Sequence, residues 1–359
     1  MKILVGMSGG VDSTVTALLL KKAGHEVIGA TMTIWDEIVR SMAPNGKDAC
    51  FGPKELTEIP QTRKICEKIG IPYYVFDCRE EYKKLVLHNF REEYLNGRTP
   101  NPCIWCNSMI KFEALPRTAR AQRLKFDKFA TGHYARLGHN PQSGRWFLQS
   151  ALDTKKDQSY FIYRLKQEQL ANILLPLGSY TKRQIREIAK EAGLEVCDKP
   201  DSQDFYAGDY NDLLETKANP GNFVNTKGEI LGRHTGIWNY TIGQRRGMGI
   251  SSERPLYVIG FNKERNEVIL GHDEETLKRV LTASQCTWMD FEPGTSAFAA
   301  AAKIRSSQIP TPVTVTPAPD GSIRVEFENL QKALTPGQSV VLYRDDIVLG
   351  GGIIDTVVE

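Results

Sequence analysis

The chain has 359 residues, and 46 Lys or Arg against 43 Asp or Glu leave a net charge of only +3. This length predicts two or three domains, and the balanced charge excludes nucleic-acid recognition by net charge alone. No apolar run approaches the roughly 20 residues of a membrane span, and the N-terminal strand is not a signal peptide. Seven cysteines, an odd number in a long chain, are typical of a reducing, cytoplasmic location.

The first feature with chemical meaning is the turn at 8–13, Ser-Gly-Gly-Val-Asp-Ser, between an apolar strand and a predicted helix. Gly9 and Gly10 let the backbone approach a ligand, and the N–H groups at a helix start favour phosphate. The turn lacks the Gly-Lys-Ser/Thr ending of the common P-loop. It resembles the PP-loop of ATP pyrophosphatases, which implies ATP binding; the alternative is an ordinary helix cap by Ser or Asp.

Strands and helices alternate through the first part of the chain. Strands are predicted at 26–35, 73–77 and 126–133, with helices ending near Lys68 and at 80–94 and 107–123, and with a long loop at 36–58. This alternation predicts a parallel sheet with helices on both faces. Ligands of such sheets bind beyond the carboxyl ends of the strands, where Gly9, Met32, Cys78 and Gly132 fall.

The pattern changes towards the C-terminus. A further strand at 145–152 and helices at 158–174 and 181–192 precede a segment rich in Gly, Asn, Asp and aromatic residues, with short strands near 221–231 and 256–270. From about Val280, short Val/Ile/Thr strands separated by Pro and Gly predict a small β-barrel. The predicted fold class is α/β, with a parallel-sheet PP-loop domain (1–200), a central domain (201–278) and a C-terminal β-barrel (279–359).

The second chemical feature is the pair Cys103 and Cys106, which follows two prolines in Thr-Pro-Asn-Pro-Cys-Ile-Trp-Cys-Asn. A helix starting at Asn107 places Cys106 at a helix N-terminus, where the dipole lowers the pKa of a thiol. The pair fits a redox couple, half of a metal site, or a nucleophile with a helper. Because there is no second Cys-x-x-Cys, a structural zinc site is disfavoured; two inert packed thiols are the plain alternative.

Several motifs occur in a fixed order along essentially the whole chain: Ser-Gly-Gly-Val-Asp-Ser at 8–13, Thr-Pro-Asn-Pro-Cys-x-x-Cys-Asn-x-x-Ile-Lys-Phe at 99–112, Ala-Thr-Gly-His-Tyr-Ala-Arg at 130–136, Lys-Asp-Gln-Ser-Tyr-Phe at 156–161, Tyr-Thr-Ile-Gly-Gln-Arg-Arg-Gly at 240–247 and Pro-Gly-Gln-Ser-Val-Val-Leu-Tyr at 336–343. In this combination the chain resembles the tRNA-specific 2-thiouridylases. The resemblance implies that ATP adenylates the C2 oxygen of the wobble uridine of tRNA and that sulfur then displaces AMP.

The resemblance also implies roles for particular residues. The implied catalytic residues are Cys106, Cys103 and Asp12. The implied nucleotide-binding residues are Gly6, Met7, Ser8, Gly9, Gly10, Val11, Asp12, Ser13, Met32 and Gly132. The implied tRNA contacts are His133, Lys156, Asp157, Gln158, Arg305 and Gln338. ATP, Mg²⁺, a tRNA anticodon loop and a sulfur-donor protein or sulfide are the expected cofactors and partners, with no membrane and no DNA.

Rings and cations lie next to each other between 134 and 161. Tyr134, Tyr160 and Phe161, near Lys155 and Lys156, offer stacking and charge for a splayed base. Taken alone, the same cluster also fits an ordinary solvated face.

Two positions depart from the family pattern. Tyr206 stands where most members carry a second, sulfur-bearing cysteine, and Cys103 stands where many have Asp. One hypothesis makes Cys106 and Cys103 a persulfide carrier and its resolving thiol. The other joins them to a third cysteine, first Cys50 and then Cys78, as ligands of an iron–sulfur cluster.

The remaining cysteines and two rival functions complete the expectations. Cys197 stays open as a third ligand, whereas Cys66 and Cys286 are predicted to be packed thiols. The first rival is a PP-loop ligase that adenylates a small carbonyl compound and has no evident need for the cysteine pair. The second is a non-catalytic tRNA-binding or sulfur-carrier protein, which the absence of a cysteine at Tyr206 favours.

Overall fold

The computed structural model describes residues 1–35, 49–198, 204–206 and 208–358. Residues 36–48 of the predicted long loop, the predicted domain boundary at 200/201, and 201–203 and 207 beside Tyr206 lie outside this range. In the described part of the chain, no helix is both long and apolar enough to cross a membrane.

The first unit contains a five-stranded parallel sheet, which confirms the predicted fold class. Its elements in chain order are β1 (Lys2–Gly6), α1 (Val11–Lys22), β2 (Glu26–Thr33), β3 (Ala49–Phe51), α2 (Glu55–Ile69), β4 (Tyr73–Asp77), α3 (79–95), α4 (102–121), β5 (Lys128–Ala130), β6 (Ala135–His139), β7 (Trp146–Ser150), α5 (Ser159–Ile162), α6 (Gln167–Leu170), β8 (Ile173–Leu174), α7 (Lys182–Glu191) and β9 (Asp204–Tyr206). The strand order in the sheet is β4-β2-β1-β5-β8.

The central strand β1 shows why the sequence gives a sheet covered on both faces. Ile3, Leu4 and Val5 are fully buried. Ile3 and Val5 pack in one apolar cluster with Ala17 of α1, whereas Leu4 packs in another on the opposite face. A parallel strand buried on both faces is apolar throughout, as this one is.

The helices α3 and α4 each change their winding along their length. In α3, α-helical Arg79–Tyr82 is followed by π-helical Lys83–Leu87 and α-helical His88–Leu95. In α4, α-helical Pro102–Trp105 is followed by π-helical Cys106–Ala114 and α-helical Leu115–Ala121. Segments with π-helical winding are rare and occur often at functional sites.

The prediction of one helix at 158–174 is wrong. The chain there forms α5, α6 and the short strand β8. The Tyr160 hydroxyl donates to the Ser339 carbonyl oxygen at 2.9 Å, and the Tyr163 hydroxyl bonds Ser339 Oγ at 3.0 Å. These contacts anchor the segment to a distant part of the chain. The local sequence pattern carries no signal for them.

The central domain and the barrel follow. Their elements are α8 (Asn211–Leu214), β10 (Gly221–Val224), β11 (Ile230–His234), β12 (Tyr257–Asn262), β13 (Glu267–Gly271), β14 (Leu277–Trp288), β15 (Phe298–Lys303), β16 (Thr311–Pro317), β17 (Ile323–Lys332), β18 (Ser339–Arg344) and β19 (Ile347–Val358). The central sheet has the order β11-β10-β13-β12. The pairing of β14 with β19 closes the barrel, as predicted, around an apolar core of its own.

Two pairings join the units. The hairpin β6–β7 extends the barrel sheet, with Gln149 opposite Ile347, so the predicted strand at 145–152 lies outside the parallel sheet. The strands β3 and β9 form a parallel pair in which Phe51 lies opposite Tyr206.

A buried ion pair also links the first unit to the barrel. Lys303 Nζ lies 3.3 Å from Asp157 Oδ2, and the two side chains are only 9% and 2% exposed. Asp157 also accepts hydrogen bonds from the Ala151 and Ser159 backbone N–H groups and from Ser159 Oγ. The carboxylate is therefore fully satisfied without solvent.

We expect Lys303→Met to lower the free energy of unfolding by about 3 kcal/mol, because it leaves the Asp157 carboxylate buried without a cation. Urea unfolding followed by circular dichroism measures this. The matched control is Lys332→Met, which removes an exposed ion pair with Asp273 and should change little. Equal small effects in both variants would contradict the structural role of the buried pair.

Candidate functional site

The glycine turn is built as a phosphate-binding loop requires. The strand β1 ends at Gly6, Gly9 has the left-handed φ of +71°, and Gly10 occupies the position before α1. No side chain caps this helix, so the alternative of an ordinary Ser or Asp cap is wrong. The Ser8 N–H instead donates to Ser13 Oγ at 3.1 Å, which closes the turn on itself.

Contacts with two neighbouring strands fix the turn at the carboxyl edge of the sheet. The Met7 N–H donates to the Ala30 carbonyl at 2.7 Å, and Thr31 Oγ1 donates to the Met7 carbonyl at 2.6 Å. A Cβ on Gly132, which follows β5, would lie 2.8 Å from the Asp12 carbonyl carbon. Any side chain at this position would therefore displace the turn.

The structure thus gathers the predicted nucleotide-binding residues at one edge of the sheet. Gly132 touches the backbone of the turn, and half-buried Met32 lies near the end of β2, the strand beside β1. Their contact with ATP stays a prediction.

Asp12, in the first turn of α1, lies in a compact polar cluster with two residues from elsewhere in the chain. Lys182 Nζ lies 2.8 Å from each carboxylate oxygen of Asp12, and the Tyr134 hydroxyl donates to Oδ1 at 2.7 Å. Tyr134 is 2% exposed and Tyr160 is fully buried. The predicted base stacking on these two rings is therefore wrong, and Tyr134 instead orients the Asp12 carboxylate.

The helix α4, called the thiol helix here because it carries Cys103 and Cys106, begins earlier than predicted. It starts at Pro102, with Asn101 at the N-cap, because proline is preorganised for the first helical position. Cys103 therefore lies in the first turn, and Cys106 begins the π-helical segment a turn later. Asn107 is not a helix start: it is buried, and its side-chain amide donates to the Phe161 carbonyl at 3.2 Å.

The expected low pKa of Cys106 is also wrong. Burial raises the pKa of this thiol to about 11; the positive charge of Lys111 lowers it, and nearby Cys50 raises it. In a π-helical segment, residues five apart lie one turn above each other, so Lys111 follows Cys106 by one turn. At neutral pH the thiol is protonated.

Cys50, Cys103 and Cys106 all lie near one buried tyrosine, Tyr82. Burial raises the pKa of Tyr82 well above its ordinary value, and these three cysteines raise it further. Phe51, next to Cys50, stacks on the Tyr82 ring with centroids 5.0 Å apart. Within the described ranges, no group of three or more His, Cys, Asp or Glu is placed to hold a metal ion, so the cluster on Cys50, Cys103 and Cys106 stays a prediction.

The other cysteines lie apart from this group or within the core. Cys66 and Cys78 are buried, and burial raises the pKa of each to about 12. Cys286 packs against the barrel core, and Cys197 packs in the cluster between α1 and α7. The prediction that Cys66 and Cys286 are packed thiols is confirmed.

Tyr206 is part of the core beside Cys50. It is 2% exposed, its hydroxyl donates to Asp212 Oδ2 at 2.9 Å, and its strand β9 pairs with β3. The phenol therefore fills structural space at this position.

Several residues predicted to contact tRNA are engaged within the protein. His133 is buried with Nδ1 2.8 Å from Thr131 Oγ1, and burial together with Lys111 holds its pKa well below the ordinary value. Gln158 Oε1 accepts from the Tyr134 N–H at 2.9 Å, and Lys156 is half-buried. Asp157 lies in the buried ion pair with Lys303, and its contact with tRNA stays a prediction.

Gln338 and Arg305, from the barrel, also make internal contacts. Gln338 is buried, and its side-chain amide donates to the Thr99 carbonyl at 2.8 Å and the Pro100 carbonyl at 3.1 Å. Arg305 Nη2 donates to Thr335 Oγ1 at 2.7 Å, and burial lowers the pKa of its guanidinium. Gln338 therefore holds the segment that leads into the thiol helix.

Comparison with known proteins agrees with this geometry. Residues 1–206 match a family model described as tRNA methyl transferase HUP domain, 211–272 the tRNA methyl transferase PRC-barrel domain, and 278–354 the aminomethyltransferase beta-barrel domain. The tRNA-specific 2-thiouridylase MnmA of Endomicrobium trichonymphae is 51% identical over 356 residues, which are 99% of each chain. The chain belongs to the tRNA-specific 2-thiouridylase family.

Further comparisons vary in strength. The 2-thiouridylase MnmA of Clostridium botulinum (strain Alaska E43 / Type E3) is 44% identical over 364 residues, covering 99% of this chain and 98% of its own. Among solved structures, the NMN synthetase of Francisella tularensis aligns with a TM-score of 0.33 and 17% identity, over 55% of this chain and 65% of that one. A TM-score in that range carries no argument about function.

Lys182 was not among the site residues predicted for this member of the 2-thiouridylase family. The residue lies in the first turn of the helix predicted at 181–192, where a cation opposes the helix dipole. That unfavourable placement was the one local sign that Lys182 has an anionic partner. The partner, Asp12, is 170 residues away in the sequence and could not be identified from the pattern.

We expect alkylation of Cys106 by iodoacetamide to keep accelerating above pH 9, because only the thiolate reacts and its pKa is about 11. Mass spectrometry of the peptide spanning 99–111 measures the rate. Lys111→Met should move the profile to higher pH by removing a positive charge. A rate that is half-maximal near pH 8.5 and flat above about pH 10, as for an ordinary thiol, would show that the pKa is not raised.

We expect Gln338→Leu to lower the free energy of unfolding by about 1–3 kcal/mol, because the Thr99 and Pro100 carbonyls lose a buried donor. Urea unfolding measures the loss. Gln331→Leu, at an exposed hydrogen bond of the barrel, is the control and should be nearly neutral. Unchanged stability with weaker tRNA binding would favour a purely RNA-contacting role for Gln338.

Proposed function

We propose that this chain uses ATP to adenylate the C2 oxygen of the wobble uridine of tRNA and then replaces that oxygen with sulfur, forming 2-thiouridine. The observation that carries the proposal is the 51% identity with a tRNA-specific 2-thiouridylase over 99% of both chains. The internal geometry supports it, because the glycine turn and the thiol helix both pack on β5 or on the residues that follow this strand.

That packing connects the two chemical centres. Phe112 of the thiol helix contacts the Phe129 ring of β5 at 5.8 Å and the His133 ring at 5.4 Å. Gly132, between these two positions, lies against the backbone of Asp12 and Ser13. The thiol helix, through Phe112, and the turn, through Asp12 and Ser13, therefore reach the same strand end.

Adenylation solves the main chemical difficulty. The C2 carbonyl of uridine resembles that of a urea and is a poor electrophile, so its oxygen needs conversion into a leaving group. ATP supplies one when the oxygen attacks the α-phosphate and pyrophosphate departs. An anticodon loop suits this chemistry because its bases can leave the stack more cheaply than those of a duplex.

We further propose that Cys106 carries the sulfur as a persulfide. Its terminal sulfur loses a proton and attacks C2, and AMP leaves with the electron pair of the C2–O bond. The Cys103 thiol loses a proton and attacks the Cys106 sulfur, which releases 2-thiouridine and forms a Cys103–Cys106 disulfide. A donor persulfide and a thiol reductant are required to restore the enzyme.

The remaining assignments stay predictions. Asp12 is the candidate carboxylate for Mg²⁺, although Lys182 and Tyr134 occupy its oxygens in this structure. An iron–sulfur cluster requires Cys50, Cys103 and Cys106 to move together, and we derive no step through it. The cytoplasmic location also stays a prediction, as do the contacts with tRNA of His133, Lys156, Asp157, Gln158, Arg305 and Gln338.

The deciding experiment incubates the protein with ATP, Mg²⁺, unmodified tRNA and a persulfide donor, and measures 2-thiouridine by nucleoside mass spectrometry together with AMP. We expect Cys106→Ser to abolish 2-thiouridine while tRNA-dependent pyrophosphate release continues. Cys286→Ser, at a packed thiol of the barrel, should retain activity. Absence of both AMP and 2-thiouridine with wild-type protein overturns the proposal and leaves the small-carbonyl ligase, whereas unchanged 2-thiouridine formation by Cys106→Ser overturns the role of Cys106 as sulfur carrier.

A second measurement separates the two sulfur hypotheses. The protein is purified without oxygen, and its iron content and visible absorption are determined. A colourless, iron-free protein that thiolates tRNA with a persulfide donor rules out the cluster. Stoichiometric iron that is lost in Cys50→Ser, together with activity, overturns the two-cysteine persulfide route.

A further inference from the structure

The cluster of Asp12, Lys182 and Tyr134 contains a cation that no predicted role uses. Lys182 Nζ lies 2.8 Å from both Asp12 oxygens, its side chain is only 10% exposed, and the ammonium lies 5.8 Å from the centroid of the Tyr134 ring. Burying a lysine costs side-chain entropy and hydration of the charge. Such a placement calls for a specific anionic partner.

The helix that carries Lys182 does not need it. Thr181 Oγ1 accepts the Gln184 N–H at 3.3 Å and caps α7, and Asp153 Oδ2 accepts the Lys182 N–H at 3.0 Å. A positive side chain at a helix start opposes the dipole, so the ammonium weakens the helix rather than stabilising it. The position of the ammonium is therefore explained by the groups that face it at the start of α1, and not by the helix that carries it.

Packing holds Lys182 close to the glycine turn. Ile185 and Ala189 of α7 are fully buried in one cluster with Val11 and Val15 of α1. The two helices thus form a rigid unit, with the Lys182 ammonium at the first turn of α1, directly after Gly9 and Gly10. This is where the turn presents its N–H groups to a phosphate.

We propose that Lys182 is a nucleotide-binding residue that exchanges Asp12 for the β- and γ-phosphates of ATP, the part that departs as pyrophosphate. The inference rests on the proposed use of ATP. Without nucleotide, the ammonium pairs with Asp12; with nucleotide, the triphosphate offers more negative charge within reach of the same ammonium. Lysine suits such an exchange because its charge is compact and its stem is flexible.

Calorimetric titration of the full chain with ATP and with AMP tests this, because AMP lacks the phosphates assigned to Lys182. We expect Lys182→Met to weaken ATP binding about ten- to a hundredfold, the loss of one charge-assisted hydrogen bond, and to leave AMP binding within about twofold. Lys182→Arg should restore part of the affinity. Arg183→Met, at an exposed cation of the same helix, is the control and should bind both nucleotides normally.

Removing Lys182 also leaves Asp12 without its counterion, which by itself would repel phosphate. The double variant Asp12→Asn/Lys182→Met separates the two causes. We expect it to bind ATP much more weakly than Asp12→Asn alone. ATP binding equal to that of Asp12→Asn shows that Lys182 only neutralises Asp12 and overturns the inference.

Two other results are equally decisive. Equal weakening for ATP and AMP in Lys182→Met, with the thermal midpoint of wild type, also overturns the inference and leaves the proposed function intact. A wild-type protein that binds neither nucleotide overturns the proposed function and this inference together.

Discussion

The segment 98–101, which leads into the thiol helix, is held in place by hydrogen bonds to the central domain and the barrel. The positions of both thiols depend on these bonds. The Thr99 N–H donates to the Pro336 carbonyl at 2.8 Å, and Gln338 holds the carbonyls of Thr99 and Pro100. Arg98 donates to the Ile354 carbonyl, and the Thr99 hydroxyl lies 3.3 Å from that of Thr241 in the central domain. The central domain and the barrel thus both contact the segment that leads into the thiol helix.

The close contact between Gly337 and Thr99 admits no side chain at position 337. A Cβ on Gly337, which has a φ of +90°, would lie 2.8 Å from the Thr99 nitrogen. The close approach of two backbones explains why glycine stands between Pro336 and Gln338 in the barrel. Pro102 follows this segment directly, so the position of the first turn of the thiol helix depends on these contacts.

The parts that follow from local pattern could be predicted from the sequence. The apolar run of β1, the glycine turn after it and the Pro- and Gly-separated strands of the barrel carry their own signals, and the structure confirms them. The start of the thiol helix carries a local signal, Pro102 after Asn101, that the prediction overlooked. The strand β8 and the ion pair of Asp12 with Lys182 could not be predicted, since each depends on residues distant in the sequence. The pKa of Cys106 was missed for the same reason: the dipole is a local effect, whereas burial is a property of the whole fold.

The hairpin β6–β7 has a consequence for how this chain can be divided. Its residues belong to the first half of the sequence, yet β7 pairs with β19 at the end of the chain, and Arg136 forms an ion pair with Asp346. A fragment cut after residue 206 would keep the hairpin but present an open strand edge to solvent, a template for self-association. The hairpin therefore ties the first unit to the barrel, and separating the two by truncation would leave the edge of β7 without its partner strand.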